Sequence, residues 1–352
     1  MHEDELSHLL TLLLSRGRGR REIRRLIREV CAEGGCFRDA VARLMENPAV
    51  SLASAREVDA ELELVERLGL CVIRQLDADY PPLLAEIPDP PIALFVRGLP
   101  NALALPINSA IVGSRRASAR GCQLARSLAA DLGRAGFGIV SGMAIGIDGA
   151  AHRGAIDVAA VTVAVVGGGH MHSYPARHRS LASEIVSVGG AIVSEHPPTV
   201  EPRPSHFPER NRIISGLAAG VVVVEARMNS GSLITARMAL EQGREVMAVP
   251  GAVFDGAHGG CHRLLREGAA LVEDATDVLH VFGLSPPPAA PRLEPVEPLH
   301  RKILAAMSET VATIEELTDA LRVPVDQLLG AIVALEMDGF VESCRGGYIR
   351  RP

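Results

Sequence analysis

The residues best placed to do chemistry are arginines set beside short loops of small residues. Ala110-Ile111-Val112 is an apolar run that stops on Gly113-Ser114 and meets Arg115-Arg116, where a helix is expected to begin. Glycine permits a tight turn, the first amides of a helix have no internal partner, and the positive end of the helix dipole faces outward. Those three properties suit a phosphate group. Two more loops repeat the arrangement. Gly138-Ile-Val-Ser141 leads into Gly142, and Gly220-Val-Val-Val-Val-Glu225 leads into Ser230-Gly231-Ser232. A basic segment, Arg203 to Arg212, holds Phe207, Arg210, Asn211 and Arg212 at the entry to a helix. A serine-capped turn is the plain alternative for Gly113-Ser114-Arg115 taken alone. Three small-residue loops after three strands favour a ligand site, because the carboxyl ends of parallel strands gather on one edge.

The elements that must position these residues are legible from residue 107 onward. Short Val/Ile runs predict strands near 107–113, 137–141, 161–167, 191–195, 220–226 and 245–250. Helical spacing between them predicts helices from Ala117 to Ala135, Ile145 to Val158, Ala176 to Val188, Glu209 to Ala219 and Leu233 to Gln242. Continuous valine runs belong to strands covered on both faces. The expected fold is α/β, with a Rossmann-like, mostly parallel sheet. A dinucleotide site is not expected, since Gly167-Gly168-Gly169 follows the third strand instead of the first and ends in His170.

A chain of 352 residues exceeds the usual single domain. Residues 1–75 read as helical with no strand signal, and 76–283 as the sheet-bearing domain. Residues 284–298 form a proline-rich linker, and 299–352 form a small winged helix. In that last unit Thr313 and Glu316 have capping-box spacing, and Gly339 to Arg350 has the character of a hairpin. The third helix, from Val325, carries no Lys or Arg and holds Asp326, Glu336 and Asp338. A major-groove reader normally neutralises phosphates from that helix, so a protein contact, or a DNA contact through Arg345, Arg350 and Arg351 of the wing, is expected instead.

The net charge of −6 gives no general affinity for polyanions, so nucleic-acid binding requires a concentrated patch. The arginine-rich run from Arg16 to Arg28 reads as the solvated face of a helix. Six cysteines show no C-x-x-C pair, which fits a reduced cytoplasmic protein. The acidic opening from Met1 to Glu5 is read as lacking a secretory signal, and no apolar run approaches the roughly twenty residues of a membrane span. Asp148 and His152 are four apart on a helix and read as capping and packing residues; His170, His172 and His178 are the other histidine cluster. No cofactor or resident metal is expected. Tryptophan is absent, and Phe207 is the aromatic beside the basic segment, placed either to stack on a base or to pack beneath the helix.

An ordered set of motifs resembles the DprA/Smf family of DNA-processing proteins. It comprises Gly113–Arg115, the Ser141–His152 stretch, Thr162–Gly167, Tyr174-Pro175, Ser194-Glu195, Phe207–Leu217, Val224–Ala226, Ser230–Ala236 and Gly243–Gly251. The flanks match in architecture, an N-terminal sterile-alpha-motif-like helical domain and a C-terminal winged helix. The resemblance implies a homodimer that binds and protects single-stranded DNA in natural transformation and loads the recombinase RecA, without being an enzyme. It also implies that the DNA site is built by Gly113, Ser114 and Arg115, by Phe207, Arg210, Asn211 and Arg212, and by Ser230, Gly231 and Ser232.

This chain departs from the family pattern at several positions. Asn229 stands where a cation often precedes Ser-Gly-Ser, with Arg227 as substitute. His170-Met171-His172 replaces Gly-Leu-Asp, and His178 and His262 stand for asparagines. The competing reading is a nucleoside monophosphate phosphoribohydrolase of the lysine-decarboxylase-like group, with Glu195 or Glu225 as the carboxylate. Its Pro-Gly-Gly-x-Gly-Thr-x-x-Glu motif is missing. A nicotinamide dehydrogenase lacks its fingerprint as well.

Overall fold

A computed structural model of the chain describes residues 3–172, 175–254, 256–285, 297–307, 311–337, 339–344 and 346–350. It divides into two compact units, 1–286 and 287–352. Arg345, Arg351, Asp338, Tyr174 and most of the proline-rich linker lie outside the described residues.

The larger unit begins with four helices, α1 (Glu3–Leu14), α2 (Arg20–Ala32), α3 (Phe37–Met45) and α4 (Ala55–Arg67). In α2 the apolar stripe Ile23, Leu26, Ile27 and Val30 is buried while Arg25 and Arg28 are exposed, as expected for a basic solvated face. Strand β1 (Cys71–Arg74), the short helix α5 (Pro82–Ala85) and strand β2 (Ala93–Gly98) follow. Next come β3 (Asn108–Val112), α6 (Ala119–Arg134), β4 (Gly138–Ser141), α7 (Ile147–Asp157), β5 (Thr162–Val165), α8 (Arg179–Ser187) and β6 (Ala191–Ser194). The unit finishes with α9 (His206–Gly216), β7 (Gly220–Val223), α10 (Ser232–Glu241), β8 (Glu245–Ala248), α11 (Gly259–Arg266), β9 (Ala270–Leu271) and α12 (Ala275–Val281).

All nine strands form one sheet in the order β1-β2-β6-β5-β4-β3-β7-β8-β9. β3 to β9 are mutually parallel, while β2 pairs antiparallel with both β6 and β1. The six strands read from residue 107 onward all form. The reading of residues 1–75 as strandless is corrected, because β1 adds an edge to the sheet and Val72 and Phe95 pack against the N-terminal helices.

Alternation along each central strand supplies both faces. Ala110 and Val112 join Val221 and Val223 beneath α9, α10 and α11. Ile111, Val222 and Val224 face the other way, against α6, α7 and α12. Burying Ile213, Ile214 and Leu217 anchors α9, at about 1.5–3 kcal/mol for each side chain. The chain runs from β3 outward through β6, then returns to the other side of β3 as β7. The loops after β3 and β7 therefore diverge around a crevice, the place where open α/β sheets bind ligands.

The smaller unit contains α13 (Pro298–Ala306), α14 (Ile314–Leu321), α15 (Val325–Met337) and the hairpin β10 (Val341–Cys344) and β11 (Gly347–Arg350). Ile303, Leu304, Leu317, Leu328, Ile332 and Leu335 make its core. This is the expected winged helix. Its capping box forms as read: Thr313 Oγ1 accepts from Glu316 N at 3.1 Å, and a Glu316 oxygen accepts from Thr313 N at 2.8 Å. Among the described residues no helix is long and apolar enough to cross a membrane.

Candidate nucleic-acid interface

A crevice of about 710 Å³ opens where the β3 and β7 loops diverge. Its walls come from Gly113, Ser114, Arg115 and Arg116 after β3, from Phe207, Arg210 and Asn211 on α9, and from Arg227 and Asn229 to Ser232 before α10. Nine of the ten expected site residues line this crevice. Gly113 is dictated by sterics, since a Cβ there would stand 2.6 Å from Ile147 Cγ1 and 3.0 Å from the Glu225 carbonyl oxygen. Ser114 is held by its amide, which donates to Glu225 O at 2.7 Å.

The anion-binding geometry differs from expectation at α6. Its N-terminus is filled from within: Ser118 N donates to the Glu225 carboxylate at 3.1 Å, and Ser118 Oγ donates to it at 2.8 Å. The start of α6 is thus closed to a ligand. The helix start that lines the crevice is that of α10, preceded by Gly231; its first amides are held by the loop itself, Ser232 N donating to Ser230 Oγ at 3.4 Å, Leu233 N to Ser230 O at 3.1 Å and Ile234 N to Gly231 O at 3.1 Å. Ser230 Oγ and Ser232 Oγ share a hydrogen bond of 2.7 Å, which uses one hydroxyl proton and leaves the other for an oxyanion. Asn211 Nδ2 donates to Gly231 O at 3.4 Å, bracing this loop against α9.

Arg115, Arg116 and Arg227 are exposed, and none has an ion-pair partner among the described residues. The Arg115 guanidinium lies 5.3 Å above the Phe207 ring, a cation–π pair that orients the cation without neutralising it. Phe207 is half-buried, and its ring edge packs on Gly167. It therefore packs within the wall while supporting Arg115. Arg227 and Asn229 both line this wall and both are exposed.

Arg210 and Arg212 behave differently. Arg210 is 5 % exposed and donates to the carbonyls of Gly142 and Val165 at the ends of β4 and β5. Burial pulls its pKa down to about 10, and the same burial raises that of neighbouring Asp148. Both crowd Gly142, where an added methyl would stand 2.6 Å from Asp148 Oδ2 and 2.7 Å from an Arg210 terminal nitrogen. Arg210 thus forms the charged floor of the crevice.

Arg212, expected as a phosphate clamp, is not brought to the crevice. Its two terminal nitrogens donate to the Glu195 carboxylate at 2.9 and 2.8 Å, and its Nε donates to Asp89 O at 2.8 Å. Asp89 Oδ2 lies a further 3.3 Å from that Nε, and Asp89 also pairs with Arg24 of α2. With Nη1 also donating to Glu209 O at 3.0 Å, four of the five N–H donors of this fork are engaged inside the fold, and its charge is matched there by Glu195 and Asp89.

The remaining readings resolve locally. His152 is fully buried, with Nδ1 2.7 Å from Thr162 Oγ1, and burial lowers its pKa to about 3. Asp148, in the first turn of α7, accepts from Ala144 N at 3.2 Å and so ties the preceding loop to the helix. His170, His172 and His178 bond three different carbonyls, those of Phe95, Thr199 and Met143. No group of three metal-ligating side chains occurs among the described residues. Gly167, Gly168 and Gly169 let the β5 loop pack closely on Phe207, Pro202 and the Pro197–Pro198 segment. In the winged helix, the expected wing contact Arg350 donates to Leu304 O at 2.9 Å.

Comparison with known proteins was consistent across sequence and structure. Residues 71–283 match the family of DNA recombination-mediator protein A, and residues 286–347 match the DprA winged helix domain. The first match begins at β1. Protein Smf of Escherichia coli (strain K12) is 41% identical over 280 residues, covering 77% of this chain and 75% of its own. DNA processing protein DprA of Bacillus subtilis (strain 168) is 44% identical over 210 residues, covering 60% of this chain and 70% of its own. The X-ray structure of DprA from Streptococcus pneumoniae superposes with a TM-score of 0.60 at 37% identity, over 69% of this chain and 80% of that one. DprA from Helicobacter pylori, described for its single-stranded DNA binding mode, superposes with a TM-score of 0.55 at 26% identity, over 60% of this chain and 95% of that one.

Proposed function

This chain belongs to the DNA recombination-mediator protein A family, and from that premise we propose that its crevice binds single-stranded DNA through the phosphates. The observation that carries the reading is the charge of the crevice: three exposed guanidiniums and the hydroxyls of Ser230 and Ser232 line it, while Asp148, the carboxylate in its wall, is buried against Arg210. Cations of this kind neutralise a strand without reading bases, because phosphates carry no sequence. In the setting of its relatives the protein acts as a cytoplasmic homodimer that protects incoming strands and delivers them to RecA.

A hydrolase is less well supported, since both carboxylates that would serve one are engaged inside the fold. Glu195 holds Arg212, and Glu225 holds the start of α6.

The test is fluorescence anisotropy of a labelled oligo-dT and a matched duplex across a salt titration, on the native chain and on Arg115→Ala. The expected result is preference for the single strand. In the variant, affinity falls at least about ten-fold and the log–log salt slope becomes shallower by about 0.7. A native chain that ignores single strands at low salt overturns the proposal, and nucleoside monophosphate hydrolysis becomes the assay to run.

A further inference from the structure

Of the seven phenylalanines, Phe254 alone is exposed, at 99 %. It sits with Ala252 and Val253, which is 68 % exposed, at the tip of the loop between β8 and α11. β8 is the neighbour of β7, so this loop leaves the same carboxyl edge of the sheet as the loop carrying Arg227 and Ser230.

The foot of the loop is fixed and adjoins the crevice wall. The His258 ring lies against Gly251, where an added Cβ would meet ring atoms at 2.2 Å, and His262 Nε2 lies 3.0 Å from Gly251 O. Gly260 N donates to Ala226 O at 2.8 Å, and a Cβ at Gly260 would meet the carbonyls of Ala226 and Arg227 at 2.8 Å and Leu233 of α10 at 3.1 Å. Met228 covers Gly259. Both ends of the loop are therefore tied together beneath Arg227 and the first turn of α10. Three residues of chain reach at most about 11 Å, so the Phe254 tip stays within one or two nucleotide spacings of that foot.

Resting on the proposal that the crevice holds the phosphates of a single strand, we infer that Phe254 is a stacking platform for an unpaired base of that strand as it passes Arg227. A strand whose phosphates turn inward to arginines presents its bases outward, where a flat apolar ring can take them. Phenylalanine is indifferent to base identity and suits a site that reads no sequence. Charge favours this occupant over an apolar protein segment, because the crevice beside the loop holds Arg115, Arg116 and Arg227, cations with no ion-pair partner among the described residues.

The native chain contains no tryptophan, so Phe254→Trp places a single reporter at the tip. Saturating oligo-dT is expected to quench its emission. Phe254→Ala is expected to weaken oligo-dT binding about ten-fold while leaving the salt slope unchanged, since the ring neutralises no phosphate. Native chain and Phe254→Ala should bind a fully abasic oligomer equally. Three results would overturn the inference: unchanged affinity of Phe254→Ala for oligo-dT, tryptophan emission unmoved at saturation, or a drop in solution mass of Phe254→Ala by light scattering. The last would make the ring a contact between copies of the chain. Failure of the native chain to bind oligo-dT refutes the crevice reading and this inference together. Loss on Arg115→Ala with none on Phe254→Ala refutes this inference alone.

Discussion

Arginines are used in two opposite ways around the crevice. Arg115, Arg116 and Arg227 sit on loops, exposed and without ion-pair partners among the described residues, at the rim of the crevice. Arg210 and Arg212 sit on a buried helix and direct their guanidiniums into strand-end carbonyls and carboxylates of the protein itself. The first set remains hydrated until a ligand arrives, so its interaction is available for binding. The second set is desolvated on folding, so its charge has to be matched internally or not buried at all.

The sharpest way to break this contrast is to remove the internal partner. Glu195→Ala leaves Arg212 buried with one carboxylate fewer, and loss of one member of such a pair costs about 3–5 kcal/mol. Urea unfolding should show that loss as a lower midpoint. The paired replacement Glu195→Leu with Arg212→Met should recover much of it, because removing both charges removes the desolvation cost along with the attraction. If Glu195→Ala unfolds at the native midpoint, Arg212 is not an internal structural cation and returns as a candidate phosphate contact. Arg115→Ala should leave the midpoint within about 0.5 kcal/mol of native, as befits an exposed side chain.

Buried titratable groups draw the same line along the pH axis. His170 bonds Phe95 O at 2.8 Å, and burial holds its pKa near 4; that of His152 is near 3, against an ordinary 6.5 for both. Their folded values are depressed, so below pH 6.5 the unfolded chain takes up protons that the folded chain refuses. Stability is full above 6.5 and falls as pH drops toward 4, by at most about 1.4 kcal/mol per pH unit for each group. Asp148, whose pKa is raised by burial, acts in the opposite sense, favouring folding more as pH falls. His170→Gln keeps a donor for Phe95 O and cannot titrate. Its unfolding free energy should fall less steeply than native between pH 6.5 and 5, and equal slopes would refute the assignment of a neutral buried imidazole.

Much of this was readable in the residues, and the exceptions share a cause. The parallel strands announce themselves through runs such as Val221 to Val224, which need both faces covered. β2 carries a run of the same kind, Ile92 to Val96, hidden by the prolines at 81, 82, 88, 90 and 91 that make the approach look like a linker. β9 is two residues long and leaves no pattern. Glycine, serine and loop arginine positions were legible because strand-end loops converge by topology alone. The fate of Arg212 was not, because its partners lie 123 and 17 residues away, at Asp89 and Glu195. The occupied start of α6 was hidden similarly, since its anion is Glu225, 107 residues beyond Ser118. Phe254 left no signal either, because exposure of a ring is decided by what fails to pack on it.

The smallest expected effect concerns the rim. Asn229 and Arg227 both line the crevice and both are exposed, so the cation absent at one position is present two residues earlier. If the rim set acts only through counterion release, its members are interchangeable in number more than in place. Arg227→Ala should make the salt slope for oligo-dT shallower by about 0.7, and Asn229→Lys should make it steeper by about the same amount. The double variant should restore the native slope while affinity stays within a few-fold of native. A double variant whose slope stays shallow would show that Arg227 holds a phosphate in a fixed geometry that lysine, a point charge without the planar fork, does not reproduce.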